Sequence, residues 1–188
     1  MGRNSLLCKW NSTFRPGRPS ASDAVDIYKI ETQQSNSGGD PHFYGFMGQK
    51  YDVMGQSYEI YNIITSPSLQ INSRFIPYYK TLTQSQPTGT MMGELGIKFN
   101  KHRFFINSNS TIAELDGQNV DMRESWTVVL ETVKLSNIAK KNTYEFTVTT
   151  PQIEITFVRK VYLVAGIDAQ YHFDYKANLL DVDVELHG

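Results

Sequence analysis

The chain has 188 residues and a net charge of −1, because 18 Lys and Arg residues stand against 19 Asp and Glu residues. A nucleic-acid binder needs a clustered cationic excess, so this balance excludes a general polyanion-binding protein. The sequence contains no run of about 18 apolar residues, which a helical membrane span requires. A single cysteine, Cys8, excludes an intramolecular disulfide and a disulfide-stapled small fold.

The first part of the chain is polar and basic, and it contains the segment RPGRPS at residues 15–20. Such a composition buries little surface, so it predicts an extended arm. Residues 26–30 could form one short strand, in which Ile27 and Tyr28 are candidate contact residues. The run from Gln33 to Gly39 is typical of a flexible linker. We expect an arm and linker over residues 1–38 and a compact domain over residues 39–188.

Beyond residue 39 the apolar residues recur with a period of two, which predicts strands with one buried face. This alternation occupies residues 69–75, 144–149, 153–157, 171–175 and 180–187. Asp116-Gly117 lies between two such segments and predicts a tight hairpin. Only residues 132–141 could hold a short helix. Short strands at regular spacing predict an all-β fold, an antiparallel β-sandwich or barrel.

Residues 39–55 read GDPHFYGFMGQKYDVMG, a pair of short strands punctuated by glycine. Gly45, Gly48 and Gly55 allow a positive φ at turns, which side chains with a Cβ rarely adopt. Phe43, Phe46, Tyr51 and Val53 could supply a core face. These physical features alone do not indicate a function.

The same string resembles the opening motif of von Willebrand factor type D domains, which is approximately G-D-P-H-x-x-x-F-D-G-x-x-Y-D-F-x-G. The matching residues are Gly39, Asp40, Pro41, His42, Phe46, Gly48, Tyr51, Asp52 and Gly55. The resemblance spans roughly residues 39–188. It implies a cysteine-poor member of an extracellular β-sandwich class that serves adhesion, matrix assembly and polymer formation.

The chain also departs from that family. Met47 stands where the family has an aspartate that helps to bind calcium, and a thioether is a poor ligand for this hard cation. The family's cysteines are missing, so disulfide-driven polymerisation is not expected. We therefore expect no cofactor, with calcium as the one ion that the resemblance raises.

A metal site is the first alternative that the residue types raise. Asp181 and Asp183 lie on one face of the last predicted strand, and Asp40 and His42 would come close if the first and last strands approach. Oxygen ligands suit calcium, and a histidine would admit zinc. The same pattern arises on the solvated face of an amphipathic strand. We do not expect an enzyme, since no nucleophile motif is present. A hydrolase that uses His42, Asp181, Asp183 and His187 is the weakest alternative.

Tyrosine clusters and glycosylation sequons complete the candidate sites. Tyr78 and Tyr79 are neighbours, so an extended segment points them to opposite faces, and an exposed tyrosine is a common anchor for proteins and sugars. Asn11 and Asn109 each begin an N-x-S/T sequon.

These observations predict a non-enzymatic, extracellular or cell-surface structural module, although residues 1–22 contain no apolar core of a secretory signal. It would act by self-association into filaments through its N-terminal arm, or by binding a matrix protein or glycan. The alternative is a carbohydrate- or lipid-binding module that uses exposed tyrosines.

Overall fold

The computed structural model describes residues 34–38, 42–44, 50–53, 55–66, 68–81, 83–163 and 168–180, and gives only the backbone pairing of residues 34–38, 42–44 and 50–52. About two-thirds (67%) of the described part of the chain is strand, and the strands form one antiparallel sheet that curls into a half-barrel. The prediction of an all-β fold is therefore confirmed.

Fourteen strands form the sheet. The first seven are β1 (Gln34–Gly38), β2 (His42–Tyr44), β3 (Lys50–Asp52), β4 (Ile60–Thr65), β5 (Leu69–Tyr78), β6 (Gly89–Phe99) and β7 (His102–Asn107). The last seven are β8 (Ile112–Leu115), β9 (Gln118–Asp121), β10 (Trp126–Leu130), β11 (Val133–Lys140), β12 (Thr143–Thr149), β13 (Ile153–Tyr162) and β14 (Gln170–Leu179). The described strands of the alternating segments coincide with the sequence prediction.

The main path through the sheet runs in the order β10-β11-β12-β13-β14-β6-β7-β8-β9. Strand β5 lies on the other side of β6, and β4 pairs with β5. Strand β1 pairs with β14 and β2, and β3 pairs with β2. Most neighbours are consecutive in the chain, so two stacks of hairpins, β4 to β9 and β10 to β14, make up most of the sheet. These stacks meet where Phe173 of β14 pairs with Met92 of β6.

One continuous apolar core fills the concave side of the curl. Phe146 of β12 stacks on Phe157 of β13, with ring centroids 4.9 Å apart, and its ring lies 5.3 Å from Phe104 of β7. Strands β7 and β12 are far apart in the strand order, so only a curled sheet brings these rings together. The three side chains are each at most 1% exposed.

Two-residue turns connect several hairpins. Asp116 and Gly117 have φ angles of 51° and 81°, so the turn between β8 and β9 has the two left-handed residues of a type I′ turn. This hairpin is where the Asp-Gly pair predicts it. Asn100 and Glu131, in the turns that follow β6 and β10, also have positive φ angles of 50° and 56°.

Two sequence expectations differ from the structure. The helix over residues 132–141 is wrong, because Val133, Leu135 and Asn137 are buried in alternation and form strand β11. Residues 34–38, which the composition marks as linker, form β1, in which Ser35 pairs with Ala177 of β14. The ladder hydrogen bonds of a neighbouring strand outweigh the weak strand propensity of Gln, Ser, Asn and Gly here.

In the described part of the chain, no helix has the length and apolar character needed to cross a membrane.

Candidate interaction surface

Strand β10 forms one end of the main path through the sheet, and within the described residues it pairs with β11 alone. Its residues Trp126, Val128 and Leu130 are half-buried, whereas Thr127 and Val129 are exposed. Val129 is 64% exposed, which is high for an apolar side chain in a strand. An uncovered edge with apolar residues is a template for pairing with a further strand.

The pairing register shows which backbone groups of β10 are free for such a strand. Leu130 pairs with Val133 across the two-residue turn, so this pair closes the hairpin with hydrogen bonds. Hydrogen-bonded pairs alternate with non-bonded pairs in an antiparallel ladder, so Val128 and Trp126 also bond to β11. The N–H and C=O groups of Thr127 and Val129 consequently point away from β11, along the open edge.

The segment that leads into β10 is fixed to the sheet by a buried amide. The Asn137 side chain is 2% exposed, and its Nδ2 donates to the backbone oxygens of Met122 (3.0 Å) and Glu124 (2.6 Å). The Trp126 Nε1 donates to the Asp121 oxygen at 3.2 Å. These bonds hold residues 122–126 close to β11, so the edge strand has a defined position before any partner arrives.

A shallow groove of about 450 Å³ lies against this hairpin. It is lined by Thr127, Lys134, Ser136 and Ile138 of the outer face, together with Ser125, Trp126 and Asn137. Ile138 is 56% exposed and stands on the same face as Val129. The edge therefore has both free backbone groups and an adjacent amphipathic surface for the side chains of an added strand.

A polar cluster at the ends of three turns fastens the tip of the β10–β11 hairpin to the rest of the sheet. Asn100 Nδ2 donates to Glu131 Oε2 at 2.7 Å, and Lys101 Nζ lies 3.3 Å from Glu131 Oε1. His102 Nδ1 lies 2.6 Å from Asp116 Oδ2, and its Nε2 is 3.9 Å from Glu131 Oε1. We call Asn100, Lys101, His102, Asp116 and Glu131 the turn cluster.

The turn cluster has its own electrostatics. The hydrogen bond from His102, followed by the one from the Arg103 backbone N–H, lowers the pKa of Asp116 below its ordinary value. Desolvation opposes this shift. Asp116 is therefore held as a carboxylate in the folded protein. The Lys101 ammonium occupies the Glu131 oxygen that faces His102, so the cluster is an ion-pair network rather than a cation site.

The residues expected to bind a metal are only partly placed. His42 belongs to β2, which pairs with β1, and β1 lies beside β14, so the described first strands do lie next to β14. Asp40, Asp181 and Asp183 are outside the described residues, as is His187. Among the residues that the structure describes, no group of three or more His, Cys, Asp and Glu side chains could hold a metal ion.

The motif of residues 39–55 is also only partly described. His42 pairs directly with Asp52 in the hairpin of β2 and β3, and Tyr51 pairs with Phe43. Gly39, Asp40, Pro41, Phe46 and Gly48 lie outside the described residues, together with Met47. His42, Tyr51 and Asp52 thus lie on two adjacent strands, of which β2 pairs with β1.

Gly55 is needed for space rather than for a positive φ, so the turn expectation is wrong at this position. A Cβ at Gly55 would lie 2.6 Å from Phe75 Cδ2 and 2.9 Å from Tyr61 Cε2, and the φ angle is outside the left-handed region. The rings of Phe75 and Tyr61 contact each other at 4.6 Å. The last glycine of the motif therefore lets this aromatic pair approach the backbone.

The remaining candidate residues are placed as follows. Tyr78 is 7% exposed and its ring contacts that of Tyr162 at 4.8 Å, so it is buried in the molecule, whereas Tyr79 is half-buried. Asn109 is exposed in the loop after β7. Asn11, Ile27 and Tyr28 lie outside the described residues.

The sequence reasoning missed the β10 edge and the turn cluster. The run WTVVL carries a signal for the edge, because adjacent apolar Val128 and Val129 must place one valine on the solvent face. The turn cluster has no comparable signal, since its members come from three turns that only the curl of the sheet brings together.

No protein-family model matches the chain, and no curated protein matches it at a significant level.

Proposed function

We propose that the protein is a non-enzymatic structural module that assembles with other copies of itself by strand addition at β10. The open backbone groups of Thr127 and Val129 carry this proposal, because added strands gain affinity mainly from main-chain hydrogen bonds. The resemblance to von Willebrand factor type D domains supports an extracellular, adhesive role and a related β-sandwich layout for residues 39–188.

The strand that pairs with β10 is residues 26–30 of another copy, with the sequence DIYKI. Ile27 and Tyr28 are neighbours and point to opposite faces of an added strand, so one of them supplies an apolar contact beside Val129 and the other faces the opposite side of the sheet. Residues 1–30 contain five Lys and Arg residues against two Asp residues. Glu124 and Glu131 are exposed at the two ends of β10, but Glu131 already pairs with Lys101, so the main-chain hydrogen bonds carry this pairing rather than charge.

The reach of the chain favours pairing between copies. Residue 34 begins β1, and the position beside β10 is six strand spacings away along the sheet, about 29 Å at about 4.8 Å each. Four peptide steps from residue 30 to residue 34 span at most about 14 Å. This separation is measured along the curled sheet; it favours addition of residues 26–30 to the β10 edge of a neighbour, which is the pairing that we propose. A contact between two different surfaces is head-to-tail and leads to open filaments.

A proline at Val129 tests this function. Val129→Pro removes the outward N–H of β10 and leaves the β11 ladder intact, since proline is tolerated where the N–H faces solvent. Val129→Ala is the matched control, because it shortens the side chain and keeps the N–H. We expect large species of the wild-type chain and of the Val129→Ala variant, and monomers of Val129→Pro, by light scattering and sedimentation.

Circular dichroism checks that both variants keep the fold of the wild type. A wild-type chain that remains monomeric at every concentration would overturn the proposal. Equal assembly of the proline and alanine variants would also refute it, because the backbone of β10 would then not take part.

A further inference from the structure

Strand β13 carries a buried cation at a position where the alternation of the strand predicts an apolar residue. Ile153, Ile155 and Phe157 face the core, and Arg159 continues the same face. The Arg159 side chain is 7% exposed. A charge that is taken out of water requires strong compensation, so this arginine calls for an explanation.

The surroundings of Arg159 compensate it only in part. Its Nε donates to the Ser108 oxygen at 2.6 Å, and its guanidinium lies 3.7 Å from the centre of the Tyr171 ring. The Tyr144 ring is 5.5 Å away, and burial raises the pKa of this phenol, so Tyr144 stays neutral. No carboxylate pairs with Arg159 among the described residues.

The unused donors of Arg159 are the terminal ones. Nε is occupied by Ser108, so the two Nη atoms form the free end of the guanidinium fork. Among the described residues the Nη atoms have no hydrogen-bond acceptor, and Arg159 as a whole keeps 7% of its surface exposed. Val161 pairs with Tyr171 and is 50% exposed. Arg159 thus lies beside the Tyr171 ring, and the exposed Val161 follows on the same face of β13.

We propose that the Nη end of Arg159 binds a carboxylate group. The Tyr171 ring, over which the guanidinium lies, fixes the orientation of the guanidinium for this contact. A planar guanidinium presents two parallel N–H groups at the spacing of the two carboxylate oxygens. The low local dielectric of the partly buried site strengthens this interaction relative to a surface arginine. This site is separate from β10 and does not depend on the assembly described above.

The direct test is NMR of the wild-type full chain in sodium acetate against sodium chloride at equal ionic strength. The guanidinium resonances of Arg159 are identified by the ring-current shift from Tyr171. We expect these resonances to move saturably with acetate and to stay in place with chloride. Equal shifts in both salts would overturn the proposal, because they would report only ionic strength.

Two variants test the same site without resonance assignment. Arg159→Lys keeps the positive charge and removes the fork, whereas Arg103→Lys makes the same change at an exposed arginine of β7. We expect the acetate-dependent rise in melting temperature to be lost in Arg159→Lys and retained in Arg103→Lys. If Arg159→Lys does not fold, the wild-type NMR titration decides. Retention of the full rise in a folded Arg159→Lys would refute the proposal.

The carboxylate can come from a free small molecule or from an Asp or Glu side chain of a second copy. A dilution series without acetate separates these sources. Shifts of the Arg159 resonances with protein concentration assign the carboxylate to a second copy. Resonances that respond to acetate and not to dilution assign it to a small ligand.

Discussion

Gly55 illustrates how a single missing Cβ shapes this molecule. The glycine lies against the rings of Phe75 and Tyr61. Phe75 also fixes the nearby backbone, because its N–H donates to the Glu59 oxygen and its C=O accepts from the Tyr58 N–H. Tyr58 has a φ of 70° and is 66% exposed, so the chain makes a tight turn at this point to keep both bonds. Phe75 therefore positions residues 55–59 in two ways: its ring lies against Gly55, and its backbone bonds to Tyr58 and Glu59.

Replacement of this glycine by alanine is the first stability prediction. Gly55→Ala forces the added Cβ into the Phe75 ring, so we expect a loss of about 1–3 kcal/mol in the free energy of unfolding. Gly96→Ala is the matched control, since a Cβ there meets no atom within 4 Å. We expect no loss for the control in urea denaturation. An equally stable Gly55→Ala variant would contradict the assigned close approach.

His172 provides a second prediction at the residue scale. The residue is 6% exposed, and its Nδ1 has no hydrogen-bond partner among the described residues. Burial lowers the pKa of His172 below 6.5, and the nearby Lys160 adds to this, whereas Asp174 opposes it. The folded state therefore favours the neutral imidazole, and stability is full above the unfolded pKa of about 6.5.

As the pH falls from about 6.5 through the lowered pKa of His172, the unfolded chain takes up the proton first and stability is lost. We expect the wild type to lose up to about 1.4 kcal/mol per pH unit in this window, and His172→Leu to lose less. Urea denaturation between pH 7.5 and 5 measures both slopes. Identical slopes would show that another group is responsible.

At the scale of elements, the turn cluster joins three hairpins through side chains of Asn100, Asp116 and Glu131, which all have left-handed backbones. Asparagine and aspartate tolerate this conformation, but glutamate rarely adopts it. Its bonds to Asn100 and Lys101 hold Glu131 there. The tip of the edge hairpin is consequently tied to the β6–β7 turn.

Asp116→Asn tests how much the charge of Asp116 contributes to the stability of the turn cluster, since asparagine keeps the turn and removes the charge. The pKa of Asp116 is lowered, so its contribution to stability is present above the unfolded value of about 3.9 and is lost as the pH falls through the folded pKa. At pH 7 we expect a loss of about 1 kcal/mol or less, because water screens these partly exposed groups.

The difference in stability between the wild type and Asp116→Asn should shrink in denaturant titrations as the pH falls below about 3.9 and through the lowered pKa of Asp116. Glu114→Gln is the control, because Glu114 is an exposed carboxylate of the same hairpin, in β8. A pH-independent difference between the wild type and Asp116→Asn would show that the carboxylate's charge is not the cause.

The elements that sequence alone predicts are those with local rules. Alternation identifies β5 and β12 to β14, and Asp116-Gly117 identifies its hairpin. The alternation of β11 is hidden in the sequence because Asn137, a polar residue, occupies a core position and bonds to the backbone of residues 122 and 124. Arg159 breaks the same alternation in β13. Both polar core residues bond across long sequence distances, and such bonds leave no local signal.

At the scale of the whole molecule, β1 defines where the arm can be cut. Strand β1 pairs with β14 and β2, so a deletion must stop before Gln34 to leave the sheet intact. We expect a chain without residues 1–33 to fold and to remain monomeric, because it lacks residues 26–30. A chain without residues 1–22 keeps them and should still assemble. Sedimentation of both chains, with circular dichroism for folding, measures this prediction.

Assembly of the shorter chain would show that residues 26–30 are not the added strand, and it would leave the β10 edge to be tested by Val129→Pro alone. Failure of both truncated chains to assemble would place the essential residues before residue 23.

The junction of β14 with β6 has a consequence for how the chain reaches this structure. Each stack of hairpins forms from neighbours in sequence, but Phe173 and Met92 must meet across a long intervening stretch, which makes this the slow, late step of folding. Until then, each half exposes the apolar face that the other half covers. At high concentration the β10–β14 half of one molecule can dock on β6 of another with the same contacts, which is domain swapping about residues 122–125.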